Sequence, residues 1–175
     1  IWESKLDFKN LHLAKIVAPI SDNYLLADET VAIDEVNNFK KSGGGTIVDV
    51  TSIGLKRDPE ALRRVSQATG IHLVMGTGYY QKVFHPEDMD ERTVENLTSE
   101  IVQDLTLGIR GSGIRAGVIG EIGVNGDPIS FNEEKSIRAS TRASLLTGAA
   151  MTFHRGGTGS ERHTTLDLVE AEGGD

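Results

Sequence analysis

Apolar residues in this chain follow two alternating rhythms. "TIVDVTS" (46–52), "IHLVMGTGYY" (71–80), "AGVIGEIG" (116–123) and "AAMTFHRGG" (149–157) are short runs rich in apolar and β-branched residues, the pattern of buried strands. Between them the period lengthens to that of a helix. In "ETVAIDEVNNFKKSGGG" Ala32, Val36 and Phe39 share one face, with Lys40 and Lys41 in the last turn. "DPEALRRVSQATG" offers Asp58 as N-cap, Pro59 at the first helical position and Gly70 as the stop. In "DERTVENLTSEIVQDLTLGIRG" a single stripe holds Val94, Leu97, Ile101 and Leu105. "SFNEEKSIRASTRASLLTG" opens with Ser130 and Glu133 at capping-box spacing, and "SERHTTLDLVEAEGG" reads as one more helix. Strand alternating with helix predicts an α/β fold with a parallel sheet and right-handed crossovers.

The polar residues of this repeat gather at the C-terminal ends of the strands: Asp49 and Thr51, Tyr79 and Tyr80, Glu121, His154 and Arg155. In parallel α/β folds, both barrels and open sheets, that end carries the chemistry. Alternation sharpens the point. If Met151 and Phe153 face the helices, Thr152 and His154 face inward; if Val118 and Ile122 face the helices, Ile119 and Glu121 face inward too. The two strands are consecutive and, if adjacent, lie about 4.8 Å apart. An uncompensated carboxylate in such a place costs roughly 3–5 kcal/mol, so Glu121 needs a partner. Two partners fit: a cation held jointly with His154, or His154 itself in a charge-assisted hydrogen bond.

Charge and composition restrict the function classes. With 26 acidic against 18 basic residues the formal charge is -8, and no basic stripe is available to release counterions from a phosphate backbone, so no nucleic-acid partner is expected. No apolar run approaches the roughly 18 residues of a membrane span, and no charged-then-apolar leader opens the chain. The absence of cysteine removes disulfides and thiolate chemistry and fits a cytoplasmic protein. A first residue of Ile1 rather than Met suggests a fragment. Among the histidines, His12, His72 and His163 read as structural or solvated, and His85 in "FHPED" follows the tyrosine pair in a loop. Neither H-x-H nor H-E-x-x-H occurs. "GSGIRAG" (111–117) precedes a strand where a nucleotide fingerprint must follow one. "NLT" (96–98) falls within a predicted helix. "GGTGS" (156–160) does follow a strand and open a helix, and could hold an anion there; it supports the competing expectation of a non-catalytic small-molecule or anion-binding domain.

Taken in order, "TIVDVTSIGLKRDPEALRRVSQATGIHLVMGTGYY", "GIRAGVIGEIG" and "MTFHRGG" resemble the phosphotriesterase family of the amidohydrolase superfamily, from about residue 44 to about residue 170. "GEIG" resembles its glutamate-bridged branch, the phosphotriesterase homology and phosphotriesterase-related proteins. The resemblance implies a distorted (β/α)8 TIM barrel with two divalent metal ions, most often Zn2+, at its C-terminal face. There a metal-bridging hydroxide attacks an ester, lactone, phosphotriester or amide. It implies that Glu121 bridges the metals and His154 ligates one of them. Asp49 is expected to orient a ligand from behind, and Tyr79 and Tyr80 to contact a small-molecule substrate. The family's strand 1, with its H-x-H pair, and the strands after residue 157, with a further histidine and the aspartate that accepts the proton, have no counterpart here. Residues 1–175 are thus expected to be part of a single barrel domain, about half of the roughly 250 residues of a complete one. Alone the chain is expected to be inactive, and the full-length protein to be a metal-dependent hydrolase with room for a homodimer.

Overall fold

The computed structural model describes residues 5–16, 20, 26–126, 128–156 and 159–175. They belong to two compact units, Ile1–Gly43 and Gly44–Asp175. The first holds helices α1 (Leu11–Ile16) and α2 (Glu29–Lys41). The Asp28 carboxylate starts α2 by accepting the otherwise orphaned amides of Thr30 and Val31. Of its predicted apolar face, Ala32 and Val36 are half-buried and Phe39 is exposed.

The second unit alternates strictly. Its elements are β1 (Thr46–Asp49), α3 (Pro59–Thr69), β2 (His72–Thr77), α4 (Val94–Thr106), β3 (Val118–Val124), α5 (Phe131–Thr147), β4 (Met151–Arg155) and α6 (Glu161–Ala171). The strands form one parallel sheet in the order β1-β2-β3-β4. Each strand pairs with the next in sequence, with a helix in between and no reversal of order. A doubly wound sheet reverses; a barrel does not. The architecture is half of a (β/α)8 barrel.

Local signals account for the helix ends. Asp58 accepts the amide of Ala61, Pro59 opens α3, and Gly70 closes it with φ +71, a conformation that costs a side-chain-bearing residue energy. Ser130 and Glu133 cap α5 reciprocally. Thr93 and Asn96 do the same for α4, a cap with Asn in place of the usual Glu or Gln.

The core lies between the sheet and the helices, centred on β3. Leu97 and Ile101 of α4, Ile119 and Ile122 of β3 and Ile137 of α5 are completely buried in it, each stabilising the fold by about 1.5–3 kcal/mol. Met151 and Phe153 pack against the same cluster. A buried polar lock sits beside it. Arg57 pairs with Asp104 of α4 at 2.7 Å with both side chains almost fully buried, and Thr77 donates to the same carboxylate oxygen at 2.6 Å. The lock ties the loop after β1 and the end of β2 to α4. The opposite face of the sheet is less covered: Val48 is 53% exposed.

Candidate active site

Strand β3 is irregular where the chemistry sits. Ile119 is in register with Met151 and Ile122 with Phe153, so β3 spends one residue more than β4 over this stretch. Such a bulge reverses the parity of everything beyond it. Ile119 and Ile122 therefore both face the helices although they are three positions apart. The expectation that Ile119 faces inward with Glu121 is corrected by this extra residue; strict alternation holds only along an unbroken ladder.

Within the bulge, Glu121 faces away from the helix side that Ile122 takes, as His154 does beside Phe153 on the neighbouring strand. His154 Nδ1 is 3.3 Å from Glu121 Oε2, between the middle of β3 and the last residue but one of β4, on adjacent parallel strands. Both side chains are partly exposed. Among the described residues His154 is the ion-pair partner of the Glu121 carboxylate, and no hydrogen bond reaches that carboxylate. The ring of Tyr80 stacks at a tilt on that of His154, centroids 4.9 Å apart, and on Phe84 at 5.4 Å. Partial burial, followed by the nearby Glu121 charge, raises the Tyr80 hydroxyl above its ordinary pKa, so it stays neutral. Phe84, part of a single helical turn at Lys82–Phe84, carried no signal in the sequence beyond its nearness to the tyrosines.

The two tyrosines part company. Tyr79 is completely buried on the helix side, and its hydroxyl donates to Glu100 of α4 at 2.6 Å, with Arg92 binding the same carboxylate oxygen. Burial, then the hydrogen bond to Glu100, raises its pKa well beyond the usual tyrosine range. The expected substrate contact by Tyr79 is thereby corrected: successive residues of an extended chain face opposite ways. Asp49, expected to orient a ligand from behind, lies on the row that faces the helices. Asp49 pairs with Met75, which shares the parity of Thr77 and so the row that meets α4. Its carboxylate accepts the Thr51 amide at 2.7 Å, closing the turn at the strand end. His85 supports the site from outside it. Its Nε2 contacts the Tyr80 carbonyl at 2.6 Å and its ring meets Tyr79 edge-on.

The donor set can be tested against a cation. One carboxylate oxygen and one imidazole nitrogen suit zinc, whose bonds to such atoms are about 2.0–2.2 Å. Two ligands at adjacent corners of a zinc tetrahedron lie about 3.3–3.4 Å apart, the separation found between Glu121 and His154. The pair fits part of a metal site. Among the described residues no group of three or more His, Cys, Asp or Glu side chains converges on one point. The competing glycine-rich cradle at 156–160 includes Gly157 and Thr158, which lie outside the described residues. The amide of Gly159 within it donates to the carboxylate of Glu161 at 2.6 Å, so a negative group of the chain itself already takes that donor.

Comparison with known proteins covers the same stretch of the chain. The model of the phosphotriesterase family matches residues 10–175. A phosphotriesterase-related protein of Nematostella vectensis is 40% identical over 87% of this chain and 44% of its own length. The N-acetyltaurine hydrolase of Danio rerio is 36% identical over 97% of this chain and 49% of its own. Among solved structures, a resiniferatoxin-binding protein from Rhodobacter sphaeroides superimposes with a TM-score of 0.92 at 39% identity, over 99% of this chain and 49% of that one. The chain spans about half the length of the relatives it matches.

Proposed function

The chain belongs to the phosphotriesterase family, and from that premise we propose that the whole protein is a zinc-dependent hydrolase with Glu121 and His154 among its metal ligands. The observation that carries this reading is the 3.3 Å approach of a carboxylate and an imidazole on neighbouring parallel strands. The Glu121 carboxylate has oxygens to share between two cations and a charge to offset theirs. His154 would offer a neutral ring nitrogen, held in orientation by the Tyr80 ring that lies against it. Cations held there would supply Lewis acidity, polarising a substrate oxygen and lowering the pKa of bound water. Tyr80, whose ring lies against His154, would contact the substrate, its hydroxyl neutral and able to donate a hydrogen bond.

The substrate class proposed is a small molecule with a carboxyl- or phosphoryl-centred bond to break: an amide, ester, lactone or phosphotriester. The name of the relative N-acetyltaurine hydrolase supports testing the N-acyl amide first in that series. Metal analysis of the full-length protein and of its Glu121→Gln variant, with turnover measured on all four classes, tests the reading. Loss of bound zinc and of hydrolysis in Glu121→Gln is the expected result. Retention of two metal ions and near-parental turnover would remove Glu121 from the centre and leave it a hydrogen-bonding partner of His154.

A further inference from the structure

Glu121 reaches His154 from a backbone that crosses over its neighbour. The Glu121 amide donates to the carbonyl of Val50 at 3.0 Å. Val50 follows β1, and β2 lies between β1 and β3 in the sheet. The bond therefore passes across the inner face of β2, at Gly76. A Cβ placed on Gly76 would lie 2.1 Å from the carbonyl oxygen of Gly120 and 3.2 Å from Cα of Val50. Both are backbone atoms, which cannot swing aside as the end of a side chain does. On its other flank the bulge is equally close to β4. A Cβ on Gly120 would lie 2.4 Å from Cγ2 of Thr152 and 2.7 Å from its carbonyl oxygen. The segment that carries Glu121 is wedged between Gly76 and Thr152 with no slack on either side.

We infer that Gly76 is a positioning residue for the metal centre: its missing side chain lets the β3 bulge settle onto β2, and that depth sets where the Glu121 carboxylate stands relative to His154. The inference rests on the reading of Glu121 as a metal ligand. A methyl group at 76 must lift the bulge or push Val50 away, and either movement stretches the bond from the Glu121 amide to Val50. A carboxylate displaced by even part of an ångström no longer shares a cation with His154 at normal bond lengths. Gly117 supplies a contrast. A Cβ there would meet only Cγ1 of Val74, at 2.8 Å, a side-chain atom of β2 rather than the backbone that carries Glu121.

The test uses full-length protein carrying Gly76→Ala, Gly117→Ala or Glu121→Gln. The readouts are zinc affinity by chelator competition, amide hydrogen exchange at Glu121, and the separate responses of kcat and KM. Gly76→Ala should bind zinc about tenfold more weakly, the loss typical when a group supporting a ligand is removed. Exchange at the Glu121 amide should quicken, and kcat should fall more than KM changes. Gly117→Ala should leave zinc affinity and that amide as they are. Adding Thr152→Ser, which removes the methyl on the far side of the wedge, should restore part of the affinity lost in Gly76→Ala. If Gly76→Ala does not fold, the double variant is compared with Thr152→Ser alone, and weaker zinc binding is again expected. Parental zinc affinity in Gly76→Ala, with zinc lost in Glu121→Gln, would overturn the role of Gly76 and leave the metal reading standing. Two metals retained in Glu121→Gln would overturn both.

Discussion

Tyr79 and Tyr80 are consecutive residues whose rings serve opposite faces of one sheet. The first hydrogen-bonds to Glu100 on a helix, and the second lies 4.9 Å from His154 at the candidate active site. Their substitutions should separate accordingly. Tyr79→Phe deletes a buried hydrogen bond to a charged group and should lower stability by about 1.5–3 kcal/mol, with KM near the parental value. Tyr80→Ala should cost less stability and raise KM. Denaturant unfolding and steady-state kinetics on both variants decide the matter; a raised KM in Tyr79→Phe with stability intact would reverse the assignment.

The Arg57–Asp104 pair is nearly excluded from solvent, and each member would be left uncompensated without the other. Arg57→Met should destabilise the protein by about 3–5 kcal/mol, the typical result of breaking a buried pair from one side. Thr77, which donates to the same carboxylate, keeps the loss toward the lower figure. A thermal unfolding midpoint equal to that of the parent would show that the pair contributes nothing.

His85 should make stability depend on pH. Burial lowers its pKa below the ordinary value, only partly opposed by the Tyr80 carbonyl and Glu133, while Lys135 and Lys82 act in the same direction as burial. Its Nδ1 is buried without a hydrogen-bond partner, so protonation would create an unsatisfied N–H. Between the depressed folded pKa and the unfolded value of about 6.5, the unfolded chain binds more protons than the native one. Stability should therefore rise with pH through that window and fall on acidification. His85→Gln should flatten this part of the profile when unfolding is compared at about pH 5.5 and about pH 7.5. An unchanged slope in the variant would assign the dependence to other groups.

A glutamate brings its negative oxygens with it, whereas a lysine must first take up carbon dioxide to acquire them. Reconstitution of the metal-free protein with zinc should accordingly proceed at the same rate with and without bicarbonate. Glu121→Asp keeps the charge and shortens the reach by one methylene, so it should retain more zinc than Glu121→Gln. Zinc content of the three proteins measured after reconstitution checks both statements; acceleration by bicarbonate would point to a different bridging group.

Much of the fold was legible because its signals are local. Asp58, Pro59 and Gly70 mark the ends of α3, Ser130 and Glu133 open α5, and the runs around Val48, Val74, Ile119 and Phe153 became parallel strands in sequence order. The adjacency of the strands that carry Glu121 and His154 was legible too, since it needs only the strand assignments and the parallel arrangement. What each side chain faces was not. One extra residue in β3 returned Ile119 to the core, because a period of two carries no record of where the ladder is broken. Asp49 and Tyr79 turned to the helix side because their neighbours in register, not their own chemistry, set the face. The Arg57–Asp104 lock joins residues far apart in sequence, and the closeness of Gly76 to Gly120 exists only once three strands are laid side by side. Composition, caps and periodicity act within a few residues and determined the elements. Faces, buried pairs and the depth of the bulge depend on packing between distant segments, and only the tertiary structure decided them.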